Sequence, residues 1–367
     1  MDGAVSPAVW VVWGGFALAF IFGFIANRTN FCTMGAISDV VNIGHWGRVR
    51  MWLLAITVAM LGANLLGYFG LIDLSKSFYQ RPTLPWLSLL LGGTLFGVGM
   101  TIAGGCPNRN LIRLGAGSVR SLVVVVFVAI SSYMTIKGLF AQWRVSYLDP
   151  IAVDLSGWGL PSQGIPRILE KLTGWPEKLA LPVVVGILTL ALLLFVLRDA
   201  RFRANKLQVT GSIGLGALVV AGWYLTGNIG FGESPETLET VYFATNSRTL
   251  ESFSFVAPTA YGLELLMLWT DKSLRLTFGV AAMLGVALGS FACAIATRQF
   301  RWEGFASMED LRTQLVGAVL MGFGGVLALG CTIGQGMTGI STLALGSFIS
   351  VTGIVLGAVG AMKWQQR

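Results

Sequence analysis

Long apolar runs separated by short polar connections make up most of this chain. Nine such runs, near residues 9–26, 51–72, 86–103, 119–140, 181–197, 211–227, 276–297, 314–329 and 341–362, have about the length that crosses a bilayer as helix. They predict an all-α integral membrane protein with about nine transmembrane helices. Several runs stop at glycine, proline or polar residues before their apolar character is exhausted. The clearest is the third, which passes through Gly104-Gly105-Cys106-Pro107 into a polar stretch carrying Asn108, Arg109 and Arg113. Such breaks are tolerated at membrane depth only where neighbouring chain or a polar cavity satisfies the freed backbone groups. Short half-penetrating helices are therefore expected beside the spanning ones, among them one following Cys32.

The break pattern occurs twice. About two hundred residues after the first, Leu320-Met321-Gly322-Phe323-Gly324-Gly325 leads to Gly330-Cys331-Thr332-Ile333-Gly334-Gln335-Gly336. A second echo links Ile25-Ala26-Asn27-Arg28 to Ile295-Ala296-Thr297-Arg298; with one residue left out, it sets Arg301 opposite Cys32. This internal repeat divides the chain into a first half at 1–140, connecting spans and loops at 141–270, and a second half at 271–367.

Composition strengthens the membrane reading: 54% of residues are hydrophobic and 11% charged, against about 25% charged in soluble domains. The 48 glycines suit close helix packing in lipid. Although the net charge is +8, the basic residues are scattered among connections with no aromatic-interleaved block, which excludes a nucleic-acid partner. Before Trp10 there is no basic stretch, so the first run reads as a span and not a cleaved leader.

Charge placement predicts orientation. Arg198, Arg201, Arg203 and Lys206 follow the fifth run, and Arg28, Arg48, Arg50, Arg298, Arg301, Arg312, Lys363 and Arg367 fall on the same side by parity. Under the positive-inside bias that side is cytoplasmic. The end carrying Asp2 and the acidic connection with Glu233, Glu236, Glu239, Glu251 and Glu264 are then outside. A bacterial inner-membrane protein with its N-terminus outside and C-terminus inside is expected.

Candidate chemistry gathers at the breaks. Of four cysteines, Cys293 lies within an apolar run and reads as filler, whereas Cys32, Cys106 and Cys331 sit where helices become irregular. No two cysteines are close in sequence and His45 is the single histidine, which disfavours a metal site. Arg28, Arg109 and Arg113, with Asn108, Asn110 and Gln335 as neutral donors, point to an anion, and thiols suit one that carries sulfur. Asp39 and Asp73 read as helix caps or surface carboxylates, with proton relay as the alternative. No nucleotide-binding G-x-x-x-x-G-K-[ST] motif is present, and no cofactor is implied.

These residues resemble the YeeE/YedE family of sulfur-transport membrane proteins, which includes bacterial thiosulfate importers. The likeness rests on Arg28, Phe31-Cys32, Gly35 and Asp39; on Ala103-Gly104-Gly105-Cys106 with Arg113, Gly115 and Gly117; and on the Leu320–Gly324 and Gly330–Gly336 stretches. It implies an hourglass of spanning helices, with Cys32, Cys106 and Cys331 lining a narrow route for thiosulfate or a related anion. A small cytoplasmic sulfur-carrier protein is the implied partner, and the basic segment 198–206 is the expected docking place. The alternatives are a carrier of selenium compounds or metals, and a membrane sulfurtransferase forming a cysteine persulfide.

Overall fold

The computed structural model describes residues 6–234, 238–305 and 307–366; Asp2, Glu236 and Arg367, used above for topology, lie outside the described residues. The first half supplies α1 (Pro7–Arg28), α2 (Thr33–Ile43), α3 (Gly47–Tyr68), α4 (Trp86–Ile102), α5 (Pro107–Gly115) and α6 (Val119–Ile136). The middle adds α7 (Leu139–Trp143), α8 (Ile165–Thr173), α9 (Glu177–Leu197), α10 (Ala200–Ala204), α11 (Lys206–Tyr224) and α12 (Ala257–Met267). Then come α13 (Phe278–Ala296), α14 (Met308–Leu327) and α15 (Leu345–Gln365), with a π-helical turn at Gly334–Gly339 between the last two. Among the described residues, sheet is confined to two small antiparallel ribbons, Thr83–Leu84 with Val153–Asp154 and Phe231–Glu233 with Thr240–Tyr242. The protein is all-α.

Among the described residues, eight helical segments are long and apolar enough to span a membrane. The ninth expected run falls in α14, whose 20 residues open with Glu309 and Asp310; that polar first turn, with Arg312, dilutes its hydropathy. Helix α9 leaves Ile187, Leu190 and Leu194 exposed, as a helix facing acyl chains does.

Packing registers fix the helix directions. Gly15 meets Phe278 and Gly23 meets Val286, so α1 and α13 run parallel. Gly92 meets Leu327 and Gly99 meets Gly317, so α4 and α14 run antiparallel. Arg120 pairs with Asp310, and Ser131 donates to the Val319 carbonyl, setting α6 parallel to α14. Helices α1, α4, α13 and α15 thus end on one face, joined there by the hydrogen bond from Gln366 to Asn42 and the Arg50–Asp199 ion pair at the end of α9. We call this the basic face. At the closest approaches glycine is required by space: a methyl at Gly289 would overlap the Phe20 carbonyl, and lipid offers helices no hydrophobic drive to compensate for such a loss of contact.

Four of the long helices, α1, α4, α13 and α14, end in the same turn, as α3 also does at Gly70 (70°), where the Leu71 N–H bonds back to Leu66. In each of the four, a residue with positive φ follows the helix: Asn30 (52°), Gly104 (69°), Arg298 (55°) and Leu329 (55°). The next N–H bonds back five residues, from Phe31 to Ala26, Gly105 to Met100, Gln299 to Ala294 and Gly330 to Gly325. This is the Schellman closure, which satisfies the last carbonyls of a helix. It also corrects the echo near Arg298. With Arg298 matched to Asn30 by backbone, no residue is missing, and Phe300 instead of Arg301 takes the place of Cys32.

Candidate functional site

Cys32, Cys106 and Cys331 each stand two residues beyond the positive-φ residue of such a turn. The turn reverses the chain, and the cysteine then starts the next helical segment. Cys32 is the N-cap of α2, its Sγ accepting from the Gly35 N–H at 3.3 Å. Cys331 repeats the contact, its Sγ accepting from the Gly334 N–H at 3.4 Å. Ser or Thr would normally fill this role. Sulfur accepts weakly, and turning a lone pair toward the backbone leaves the S–H free to donate elsewhere. Cys106 is also an N-cap, with Pro107 as first helical residue, but its side chain makes no cap bond.

Cys32 and Cys331 both lie within electrostatic reach of Cys106, and the Thr332 hydroxyl stands beside it. Thr332 Oγ1 is buried without a hydrogen-bond partner meeting normal geometry. Cys106 and Cys331 are buried, while Cys32 is partly exposed. Among the described residues, no three His, Cys, Asp or Glu side chains converge closely enough to hold a metal ion.

A cavity lies toward each face, a polar one on the basic face and one with largely apolar walls and a few charged groups on the other. On the basic face, Arg109, Arg113, Ser118, Arg120, Gln299, Arg301 and Glu303 surround about 390 Å³. Arg113 donates to the Gly104 carbonyl at 3.0 Å and Arg109 to Asn30 Oδ1 at 3.4 Å, so both guanidiniums are held against the turns that present Cys106 and Cys32. Arg120 is paired with Asp310 at 3.2 Å. With Glu303 and Asp310 set against four arginines, the cavity keeps a positive excess, as anion capture requires. On the opposite face, a cavity of about 240 Å³ is lined by Arg81, Arg144, Ser247, Glu251 and Tyr261 together with apolar side chains such as Phe78, Ile136 and Val326, and by Leu329 and Gly330. Gly330 immediately precedes Cys331.

The other expected residues divide. Asn108 is buried with Oδ1 unpartnered, and Gln335 is buried with Oε1 unpartnered. The Gln335 amide nitrogen donates to the Ala328 carbonyl at 2.6 Å, closing the end of α14. Asn110 latches the Gly105 and Cys106 carbonyls. Arg28 is exposed on the last turn of α1, beside Cys293 and away from the basic-face cavity. Asp39 pairs with Arg48, and Asp73 caps a short turn by accepting from the Ser75 N–H. Sequence reading missed Thr332, Arg120, Arg301, Arg81, Arg144 and Glu251. It also missed the collar around the π-turn, where Tyr79 donates to the Gly334 carbonyl and Thr338 to that of Phe253.

Long apolar helices interrupted by short broken segments, with thiols at three of the breaks, define an all-α integral membrane protein, a class that includes solute transporters. Residues 28–360 match the family described as sulphur transport, and the chain belongs to that family. It is 26% identical over 360 residues to the thiosulfate transporter TsuA of Escherichia coli (strain K12), spanning 96% of this chain and 94% of that protein. It is 23% identical over 356 residues to the thiosulfate transporter TsuA of Spirochaeta thermophila, spanning 95% of this chain and 97% of that one. Both relatives are named as transporters, and this chain is a transport protein and not an enzyme.

Proposed function

We propose that the chain carries thiosulfate, or a closely related small sulfur-containing anion, across a bacterial inner membrane along Cys331, Cys106 and Cys32. One observation supports this above others: one cavity is lined by Gly330, next to Cys331, and the other by Arg109 and Arg113 of the helix that Cys106 begins. On this reading the thiol line separates the two cavities. Moving even one unit charge into an unrelieved apolar medium costs about 20 kcal/mol by ideal solvation arguments, so a dianion needs compensation throughout. The arginines supply long-range attraction at each end. At the narrow part, S–H groups donate weak hydrogen bonds to the soft terminal sulfur, shallow enough for the ion to leave again. Sulfate lacks that sulfur, which provides a basis for discrimination.

With the basic face cytoplasmic under the positive-inside bias, the C-terminus is inside, the N-terminus outside, and the 240 Å³ cavity receives the ion from outside. A small cytoplasmic sulfur-carrier protein then meets the ion at the basic face, with the segment around α10 as its docking place.

Labelled-thiosulfate uptake in cells lacking their own importers tests this reading. Uptake by the wild type that resists excess sulfate, and falls at least about tenfold in Cys106→Ala at equal membrane abundance, is expected. Uptake blocked equally by sulfate would remove the sulfur-reading role of the thiols. Selenite competition in the same assay identifies a selenium substrate, and a persulfide on Cys106 after turnover would instead favour sulfur transfer.

A further inference from the structure

The cavity opposite the basic face contains a group that anion passage alone does not need. Glu251 lies in the segment before α12, where Leu250, Phe253 and Phe255 enter the core and hold the backbone in place. It is 9% exposed and lines the cavity wall. Its carboxylate accepts from the Asn246 N–H at 3.3 Å and the Ser247 hydroxyl at 2.9 Å, both neutral donors. The Thr226 hydroxyl is occupied by the Glu251 backbone carbonyl.

Charged and titratable groups face it from several sides without pairing with it. Arg81 comes from the approach to α4, and Arg144, after α7, is directed to Asp149. Tyr79 and Tyr261 present phenols within its electrostatic reach. Beyond Tyr261, Lys137 is committed to Glu264. Burial pushes the Glu251 carboxyl up to about 7, against the opposing pull of the Ser247 and Asn246 hydrogen bonds. An ionised carboxylate here shares a confined, partly dehydrated space with the incoming dianion, and the two repel. Neutralising Glu251 removes that repulsion while the positive charge of Arg81 stays on the cavity lining.

We propose that Glu251 is a proton-binding site linked to anion occupancy, so that this cavity takes up a thiosulfate-class dianion together with one proton from the same medium. The inference deepens the transport reading above and rests on it. By reciprocity, the bound anion raises proton affinity at Glu251 by the same factor as the proton raises anion affinity.

The test uses purified full-length protein in detergent, with thiosulfate binding measured calorimetrically and proton uptake followed by an indicator dye in weak buffer near neutral pH. The wild type is expected to take up a proton fraction rising toward one per anion bound, and to lose affinity by up to about tenfold per pH unit above the carboxyl's titration point. Glu251→Gln, which preserves shape and an acceptor for Ser247, is expected to bind thiosulfate with no proton uptake and a flat pH dependence. Wild-type binding without proton uptake overturns the proton site and leaves the transport reading standing, as does a Gln variant that retains the wild-type pH dependence. A wild type that binds no thiosulfate overturns the transport reading, and the proton site with it.

Discussion

At the scale of single residues, the cysteines carry two duties that substitution can separate. Cys32 and Cys331 use Sγ to cap a helical segment, a task oxygen performs better. Cys32→Ser and Cys331→Ser are therefore expected to leave thermal stability in detergent unchanged or raised by roughly 0.5–1 kcal/mol, while thiosulfate uptake falls. Equal loss of stability and uptake would assign these thiols to packing alone. Cys106 has no capping bond to lose, so its variants report on passage more directly. The three cysteines were legible because each lies beside glycine, proline or polar residues where an apolar run falters. Arg28 was placed among them by adjacency in sequence, yet the last turn of α1 directs it outward beside Cys293. Glu251 was taken for one more charge in an acidic outer connection, since nothing local signals that Phe253 and Phe255 draw that segment inward.

The shared helix ending links sequence to site at the scale of elements. Asn30, Gly104 and Leu329 adopt left-handed backbone, which suits glycine, is tolerated by asparagine and strains leucine by about 1–2 kcal/mol. Short helices were foreseen after the breaks, and α2 and α5 are short helices that follow Cys32 and Cys106. The segment after Cys331 forms a π-turn instead of a regular helix, with Gly336 accommodating the Trp52 ring against its backbone. The register of the Arg298 turn was misread because the matching residues Ile-Ala-x-Arg coincide by side chain and not by hydrogen bond. Packing between α1 and α13 makes a sharper demand. Gly289→Ala places a methyl against the Phe20 carbonyl and is expected to destabilise the protein by roughly 1–3 kcal/mol, seen as a lower midpoint of thermal unfolding in detergent. An unchanged midpoint would mean that the two helices separate at little cost.

At the scale of the whole molecule, span count and helix class were readable from run length alone, and the ninth run blurred only because α14 begins with charges. The two cavities were not readable. Arg109 and Arg113 meet Arg301 and Glu303 only because α5 packs against α13, a contact between opposite ends of the sequence. Membrane orientation gives a direct prediction. Gly157 and Gly304 have open space around them, one in the connection before α8 and the other next to Glu303 on the basic face. In intact cells, a membrane-impermeant thiol reagent is expected to label Gly157→Cys and spare Gly304→Cys, relative to the parent protein. The reverse pattern would invert the molecule and exchange the roles of the cavities.

The antiparallel pairing of α4 with α14 bears on how such a protein works over time. The turns that present Cys106 and Cys331 face opposite ways, so on the proposed route an ion travelling in either direction meets the same kind of thiol-bearing corner. Under the proposed function, a corridor of that form has no ratchet of its own. Its net flux follows supply and demand: the abundance of the ion outside, any accompanying proton gradient, and the speed with which the cell consumes what arrives.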